Sequence, residues 1–374
     1  MSIYTTPLQF GYFMAWLFGI IFLVRGIRQE RLSDRLLAFL LFILALDIQD
    51  YTFGFAGINV LWNELNGFPR GVAFLLGPAL YFFILSQTNS NFKLQRKHLL
   101  HLIPWFIPFA VELSIFLQGT YAVQEFQSSD FMHYYGYIDI LARYTSFGIY
   151  FYWSIKLYKK YKAWSLNNQS NADAISFQWF RNVIYMLILG YFIKEAFNVM
   201  DRFMTWDFYQ DWWWNLGLVA IIIYLSISGL VQVQPSHLDF SESEGEGLPQ
   251  DDNFQEPTVD QELMALAKKA DGVMEESKLY LKPDLNIREL GRSLGASVNQ
   301  VSAAINSYHQ QNFNDYVNRY RVGEFKERLQ SPTYRNFTLL ALALECGFNS
   351  KSTFNRSFKK VEEISPREFA DRLN

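Results

Sequence analysis

Along the 374 residues, the hydrophobic positions follow two regimes. Up to about position 235 they run in long, nearly unbroken stretches; beyond it they recur at helical spacing among polar neighbours. A bilayer core about 30 Å thick needs roughly 17–25 mostly apolar residues per helical span. Seven stretches meet that length, at 8–24, 36–55, 71–88, 99–117, 137–157, 183–200 and 213–233. Gly77 and Pro78 interrupt the third, which keeps a six-span reading open, although both residues are tolerated where neighbouring helices re-satisfy the backbone. The pattern predicts an all-α chain whose residues 1–235 form a polytopic bundle of about seven transmembrane helices.

From Thr258 onward the spacing is that of short amphipathic helices. Ile287, Leu290 and Leu294 recur at i, i+3 and i+7 on one helix, and Gly295-Ala296 break it. Ser297 can cap a second helix that buries Val301, Ala304 and Ile305. Two helices joined by a tight Gly-containing turn form a helix-turn-helix, whose second helix fits a major groove about 12 Å wide. Its exposed positions, Asn299, Gln300, Ser302 and Asn306, with Ser297 at its start, offer amides and hydroxyls, and an amide can read adenine bidentately.

The unit recurs. Leu339, Leu342, Ala343 and Cys346 form a scaffold helix, and Gly347-Phe348-Asn349 form the turn. The following helix buries Phe354 and Phe358 and presents Ser350, Lys351, Ser352, Asn355, Arg356 and Lys359. Between the units, 313–330 predicts one long helix with Tyr316, Val317, Tyr320, Val322, Phe325 and Leu329 inward. Such a connector would fix the two recognition helices; about 34 Å apart, they would enter successive major grooves.

Charge refines both halves. The net charge of −3 (33 Lys+Arg against 36 Asp+Glu) conceals a strong asymmetry between the loops of the first half. Arg25, Arg28, Arg31, Arg35, Lys93, Arg96, Lys97, Lys156, Lys159, Lys160, Lys162 and Arg181 fall on one side, against Arg70 and Arg202 on the other. The positive-inside bias then predicts the N-terminus outside and everything after Val233 in the cytoplasm; no basic leader suggests a cleaved signal peptide. Residues 236–257 carry seven acidic groups and no Lys or Arg, the composition of a flexible tether whose ends lie roughly 25 Å apart. From Arg288 to Asn374 there are 13 basic and 9 acidic residues, a modest surplus for a DNA-binding surface.

Ionisable groups within spans usually face a bundle interior or a wet cavity and mark function. Asp47, Asp50, Glu112, Asp139, Arg143, Lys194 and Glu195 are such groups, all placed from mid-membrane outward. Asp139 and Arg143, at i and i+4, can meet on one helix face. They predict either a polar pocket open to the outside that receives a signal, or groups that snorkel to the interface or only pair. The aromatic cluster Trp206, Phe208, Tyr209, Trp212, Trp213 and Trp214 reads as an interfacial belt.

One cysteine rules out an intramolecular disulfide framework and multi-cysteine zinc sites, and five scattered histidines make no ligand pair. With no Gly-rich phosphate loop and no catalytic constellation, neither an enzyme nor a cofactor is expected.

The run LALECGFNSKSTFNRSFKKVEEISPREF (342–369), with its Gly-Phe turn, Ser-x-x-x-Phe-x-Arg-x-Phe-Lys-Lys stretch and final Ser-Pro, resembles the DNA-binding domain of the AraC/XylS family of bacterial transcription regulators. Residues 286–306 resemble that family's first helix-turn-helix and 313–329 its linker helix. Ala303, Gln311 and Glu363 depart from it, the first standing where a basic residue is common and the others where Gly is usual. The resemblance implies a double helix-turn-helix domain over 258–374 that binds double-stranded DNA as a homodimer and contacts RNA polymerase. Here a membrane bundle occupies the sensor position. A one-component regulator in the bacterial cytoplasmic membrane, answering a small-molecule or envelope signal, is the function this implies. A regulator released by proteolysis in the tether and a transporter-like bundle with a regulatory tail are the alternatives.

Overall fold

The computed structural model describes residues 5–58, 64–89, 91–172, 178–204, 211–231, 240, 257–334 and 336–373. The chain divides into two compact units: Met1–Tyr158 with Gln178–Ser241, and Lys159–Phe177 with Glu242–Asn374. The second unit therefore takes a short segment from the middle of the membrane-like half. The predicted acidic tether at 236–257 lies outside the described residues, apart from Phe240 and Pro257.

The first unit contains α1 (Thr6–Arg28), α2 (Leu32–Ala56), α3 (Ala73–Thr88), α4 (Ile103–Phe116), α5 (Thr120–Ser128), α6 (Asp130–Asn168), α7 (Gln178–Met204) and α8 (Asp211–Val231). A 3₁₀ segment, Arg96–Leu102, leads directly into α4. The predicted spans fall on these helices. Arg96–Phe116, α1, α2 and the Trp212–Val231 part of α8 are each long and apolar enough to cross a membrane; α3, with 16 residues, is a shorter apolar helix. Charged residues within α6 and α7, such as Asp139, Arg143 and Lys194, dilute their apolar character. The α5 helix in the loop after the fourth span carries no long apolar run and was not expected.

The sequence of α1 explains its packing. Leu8, Gly11, Ala15, Gly19, Phe22 and Gly26 form an inward stripe of mostly small residues, which lets helix backbones approach closely. Its outward side is equally apolar, with Phe10, Phe13, Leu17, Ile20 and Ile27 all more than half exposed. A helix that is hydrophobic all round is at home in lipid, not at a water interface. In the last turn of α1, Arg25 donates to both oxygens of Asp34 on α2 at 2.6 Å and to the Gly229 carbonyl of α8 at 3.0 Å. One guanidinium thus holds three helices. The hydroxyls of Thr52, Ser86 and Thr88 donate to carbonyls three or four residues earlier, so these three are satisfied within their own helices.

The second unit comprises the end of α6 with the following turn, then α9 (Pro257–Ser277), α10 (Ile287–Leu294), α11 (Val298–His309), α12 (Phe313–Gln330), α13 (Leu339–Glu345), α14 (Lys351–Glu362) and α15 (Pro366–Leu373). It has two cores. Ala270, Met274, Leu285, Ile287, Leu290, Val301, Ile305, Tyr316 and Val317 build the first. Val322, Phe325, Leu342, Ala343, Cys346, Phe348, Phe354 and Phe358 build the second. The α12 helix supplies both, its first half to one core and its second half to the other, as a rigid connector should.

Candidate nucleic-acid interface and membrane polar cluster

Each helix-turn-helix is set by caps and one glycine contact. Asn286 caps α10 by accepting from the Glu289 N–H at 3.0 Å, and Gly295 ends it at φ +66°. A β-carbon on Gly291 would lie 2.8 Å from the Ala296 carbonyl oxygen, so only glycine lets the scaffold helix sit this close to the turn. In the second unit, Thr338 caps α13 and Ser350 caps α14 through the Thr353 N–H at 3.2 Å. Gly347 forms the turn at φ +91°, pressed against the Tyr280 and Leu281 carbonyls.

The two recognition helices carry different chemistry. On α11, Ser297, Asn299 and Gln300 are exposed, while Ser302 and Asn306 are half-buried. Ser297 and Gln300 spend themselves on a capping box: the Gln300 N–H donates to Ser297 Oγ, while the Ser297 N–H and hydroxyl donate to Gln300 Oε1 at 3.0 and 2.8 Å. Asn306 donates to Ser302 Oγ at 3.4 Å. On α14, Lys351, Ser352, Asn355, Arg356 and Lys359 are exposed in two i, i+4 rows, and Ser350 is occupied as the cap. Lys351, Asn355 and Lys359 line a cavity of about 440 Å³ with Arg367 from α15. Leu339, Leu340, Phe354 and Pro366 complete its walls, so the cations stand around a largely apolar hollow.

Polar groups behind these surfaces hold the two halves of the unit. Glu324, almost fully buried, accepts from Lys278 at 2.8 Å, the Tyr280 hydroxyl at 2.9 Å and Arg328 at 2.7 Å. Burial alone would raise its carboxyl, but these donors outweigh it and hold the group below the ordinary range. Burial lowers the Arg321 guanidinium to about 10. Asp271 accepts from the Tyr316 and Tyr320 hydroxyls at 2.9 and 2.8 Å and lies 3.0 Å from His309 Nε2. Burial keeps the His309 imidazole below the ordinary histidine range against the pull of Asp271. The buried polar row Asn314, Asn318, Arg321 and Glu324 on α12 was not expected from the sequence.

Left-handed backbone at Glu363 (φ 61°) ends α14 at one position where the resemblance marks a missing glycine. At the other, the left-handed residue is Gln310 (φ 52°), one before Gln311.

In the first unit, Asp139 and Arg143 pair at 2.8 Å on α6. With Glu112 of α4 they line a cavity of about 140 Å³, walled by Trp105, Phe109 and Pro69. The Tyr135 hydroxyl hydrogen-bonds Glu112. Asp50 pairs with Arg70 at 3.1 Å beside a neighbouring cavity of about 350 Å³ that shares Trp105 and Phe109. Asp47 Oδ2 is buried without a hydrogen-bond partner among the described residues. Lys194 rests over the Trp214 ring, 4.2 Å from its centroid. The Glu195 side chain and Trp206, Phe208 and Tyr209 lie outside the described residues, whereas Trp212 and Trp214 are buried and Trp213 is exposed. Among the described residues no group of His, Cys, Asp and Glu could hold a metal ion.

Comparison with known families gives one match: residues 290–372 fit the family model described as a helix-turn-helix domain, of the AraC type. The matched family is one of DNA-binding regulatory domains and not a catalytic one. No curated protein and no solved structure is significantly similar to the chain.

Proposed function

We propose that the chain is a membrane-embedded one-component transcription regulator. Its second unit binds specific double-stranded DNA through α11 and α14, and its first unit is a bundle of about seven spans that senses a signal. The observation that carries this is the pairing of two helix-turn-helix units on one connecting helix, in a chain that also holds four helices able to cross a membrane. In this reading α14 supplies phosphate contacts through Lys351, Arg356 and Lys359, with Ser352 and Asn355 beside them. The α11 helix offers Asn299 to a base edge, while Ser297, Gln300, Ser302, Asn306 and Ser350 shape their helix ends and reach phosphate or solvent.

The cavity of Glu112, Asp139 and Arg143 is the proposed signal site, with Asp47, Asp50 and Lys194 nearby and Glu195 kept as a candidate on sequence alone. Carboxylates and guanidinium beside Trp105 and Phe109 suit a small charged molecule with an apolar portion. A signal that binds two packings of the bundle unequally would shift the DNA-binding unit's pairing as a homodimer or its approach to RNA polymerase. The protein would lie in a bacterial cytoplasmic membrane, N-terminus outside and DNA-binding unit in the cytoplasm.

The test is a chromatin pull-down through a C-terminal tag, with the DNA sequenced and the bound protein sized by blot. Discrete sites with full-length protein are expected. A C-terminal fragment alone would establish proteolytic release, and the absence of enriched sites would overturn the reading.

A further inference from the structure

The turn after α6 is built into the DNA-binding unit. Ser170 is fully buried and spends every polar atom there. Its N–H donates to the Leu285 carbonyl at 3.0 Å, its hydroxyl reaches the Pro283 carbonyl at 3.4 Å, and its own carbonyl accepts from Asn314 Nδ2 at 2.8 Å and Arg321 Nη1 at 3.3 Å. Gln169 forms an antiparallel bridge with Asn286, the cap of α10. Ala172, beyond the bonded residues, is also buried.

The place where this turn lands is the joint between the two helix-turn-helix units. On α12, Val317 belongs to the first core and Val322 to the second, and Arg321 lies between them. Its guanidinium, 1% exposed, donates to the Tyr280 and Lys282 carbonyls at 2.7 Å each, to Asn318, and to both the carbonyl and the hydroxyl oxygen of Ser170. The ring of Phe348, from the turn of the second unit, lies beneath it. All of these acceptors are uncharged. A buried cation whose hydrogen bonds all go to neutral acceptors, with the Asp284 carboxylate acting on it only from outside that set, depends on their number, because each lost acceptor leaves a donor desolvated without compensation. Withdrawing Ser170 removes two acceptors at once, and the joint must admit water or repack.

We propose that the Gln169–Ala172 turn is a plug whose seating against Arg321 and Asn314 fixes the relative placement of the two recognition helices, so that α6 controls DNA recognition through this contact. This rests on the DNA-binding reading above. The α6 helix is continuous from Asp130 to Asn168 and carries Asp139 and Arg143, so a change at the signal cavity has a covalent, helical connection to the plug. The acidic tether is not needed for it. Packed joints of this kind have discrete arrangements, which suits a two-state element.

The test uses the full-length protein in lipid nanodiscs with Gln169→Cys, Asn286→Cys and Cys346→Ala. Residues paired in an antiparallel bridge stand about 4.5–5.5 Å apart, within disulfide range. Oxidation locks the plug in place, and the reduced form of the same sample is its control. A duplex selected from a random pool is compared with one carrying an extra base pair between the two groove contacts. Oxidation should increase the preference for the selected spacing by about tenfold, and Ser170→Leu in the otherwise unaltered chain should erode it by a similar factor. A plug that only stabilises the fold would change affinity for both duplexes equally; equal spacing preference in oxidised and reduced protein overturns the proposal. Failure of the pool to enrich any duplex would instead strike the DNA-binding reading itself.

Discussion

The two helix-turn-helix units share one connecting helix and one turn design, yet their second helices present different chemistry. The α11 helix carries no Lys or Arg and ties much of its polar surface to itself, Ser297 to Gln300 and Ser302 to Asn306. The α14 helix carries Lys351, Arg356, Lys359 and Lys360 and buries its own Phe354 and Phe358 behind them, with Phe348 of the preceding turn packed on Phe354. The difference teaches that duplicated folds need not contribute alike: a charged unit can supply affinity while an uncharged one supplies discrimination.

The largest effects should come from breaking one core and watching the other. Phe354→Ala should cost the second core about 3–5 kcal/mol and expose Cys346 to thiol reagents. Burial pushes that thiol up to about 12 and keeps it inert in the intact protein. Ile305→Ala should cost the first core about 2–5 kcal/mol and leave Cys346 protected. Equal labelling of Cys346 in both variants would mean that the units unfold as one block and are not separate in stability.

On DNA the comparison sharpens in the salt dependence. Asn299→Ala should lose about 1–3 kcal/mol on the preferred site and leave the slope of log affinity against log salt unchanged. Lys359→Ala should weaken binding to every sequence and reduce that slope by about 1. Titrations at several salt concentrations check both, and a slope change for Asn299 would remove the division of labour.

Backbone strain gives a smaller effect. Glu363→Gly should stabilise the second unit by about 1 kcal/mol, because glycine adopts the left-handed conformation without a β-carbon penalty. Slower Cys346 labelling reports the gain. Gln310→Gly is the matching substitution in the first unit and should leave Cys346 labelling where it was.

The smallest effect is on pH. The folded state holds His309 below its ordinary value, so the unfolded chain binds the extra proton more readily. Stability of the first helix-turn-helix is therefore complete above the ordinary histidine range, near pH 6.5, and declines as the pH falls through it toward the lower folded value. Protease cleavage within α9–α12, followed by mass spectrometry across pH, should rise in acid, and His309→Gln should flatten the curve.

Much of this was legible in the sequence for local reasons. Ser297 and Ser350 announce helix starts, Gly295 and Gly347 announce turns, and the inward residues of α12 follow helical periodicity. The paired i, i+4 charges of Asp139 and Arg143 were also visible. What could not be seen depends on distant partners. Asn314, Asn318 and Arg321 look like a solvated face until Ser170 is placed against them, and Ser170 stands 151 positions before Arg321. Nothing in the periodicity of 165–172 marks it as part of the second unit. Gln300 was read as facing outward, which it does; that its amide turns back to Ser297 is a rotamer choice that no spacing encodes.

The hold of Arg25 on Gly229 also orders events in time. The two residues are 204 positions apart, so when the α1–α2 hairpin is synthesised its third partner does not yet exist. Chains fold their N-terminal parts first during synthesis, and closing so long a loop waits until α8 has been made. Only then do α9 and the helix-turn-helix units follow. A polypeptide truncated before Gly229 lacks this third partner and the whole helix-turn-helix unit together, so the seam of the first unit closes only in chains long enough to go on to the second.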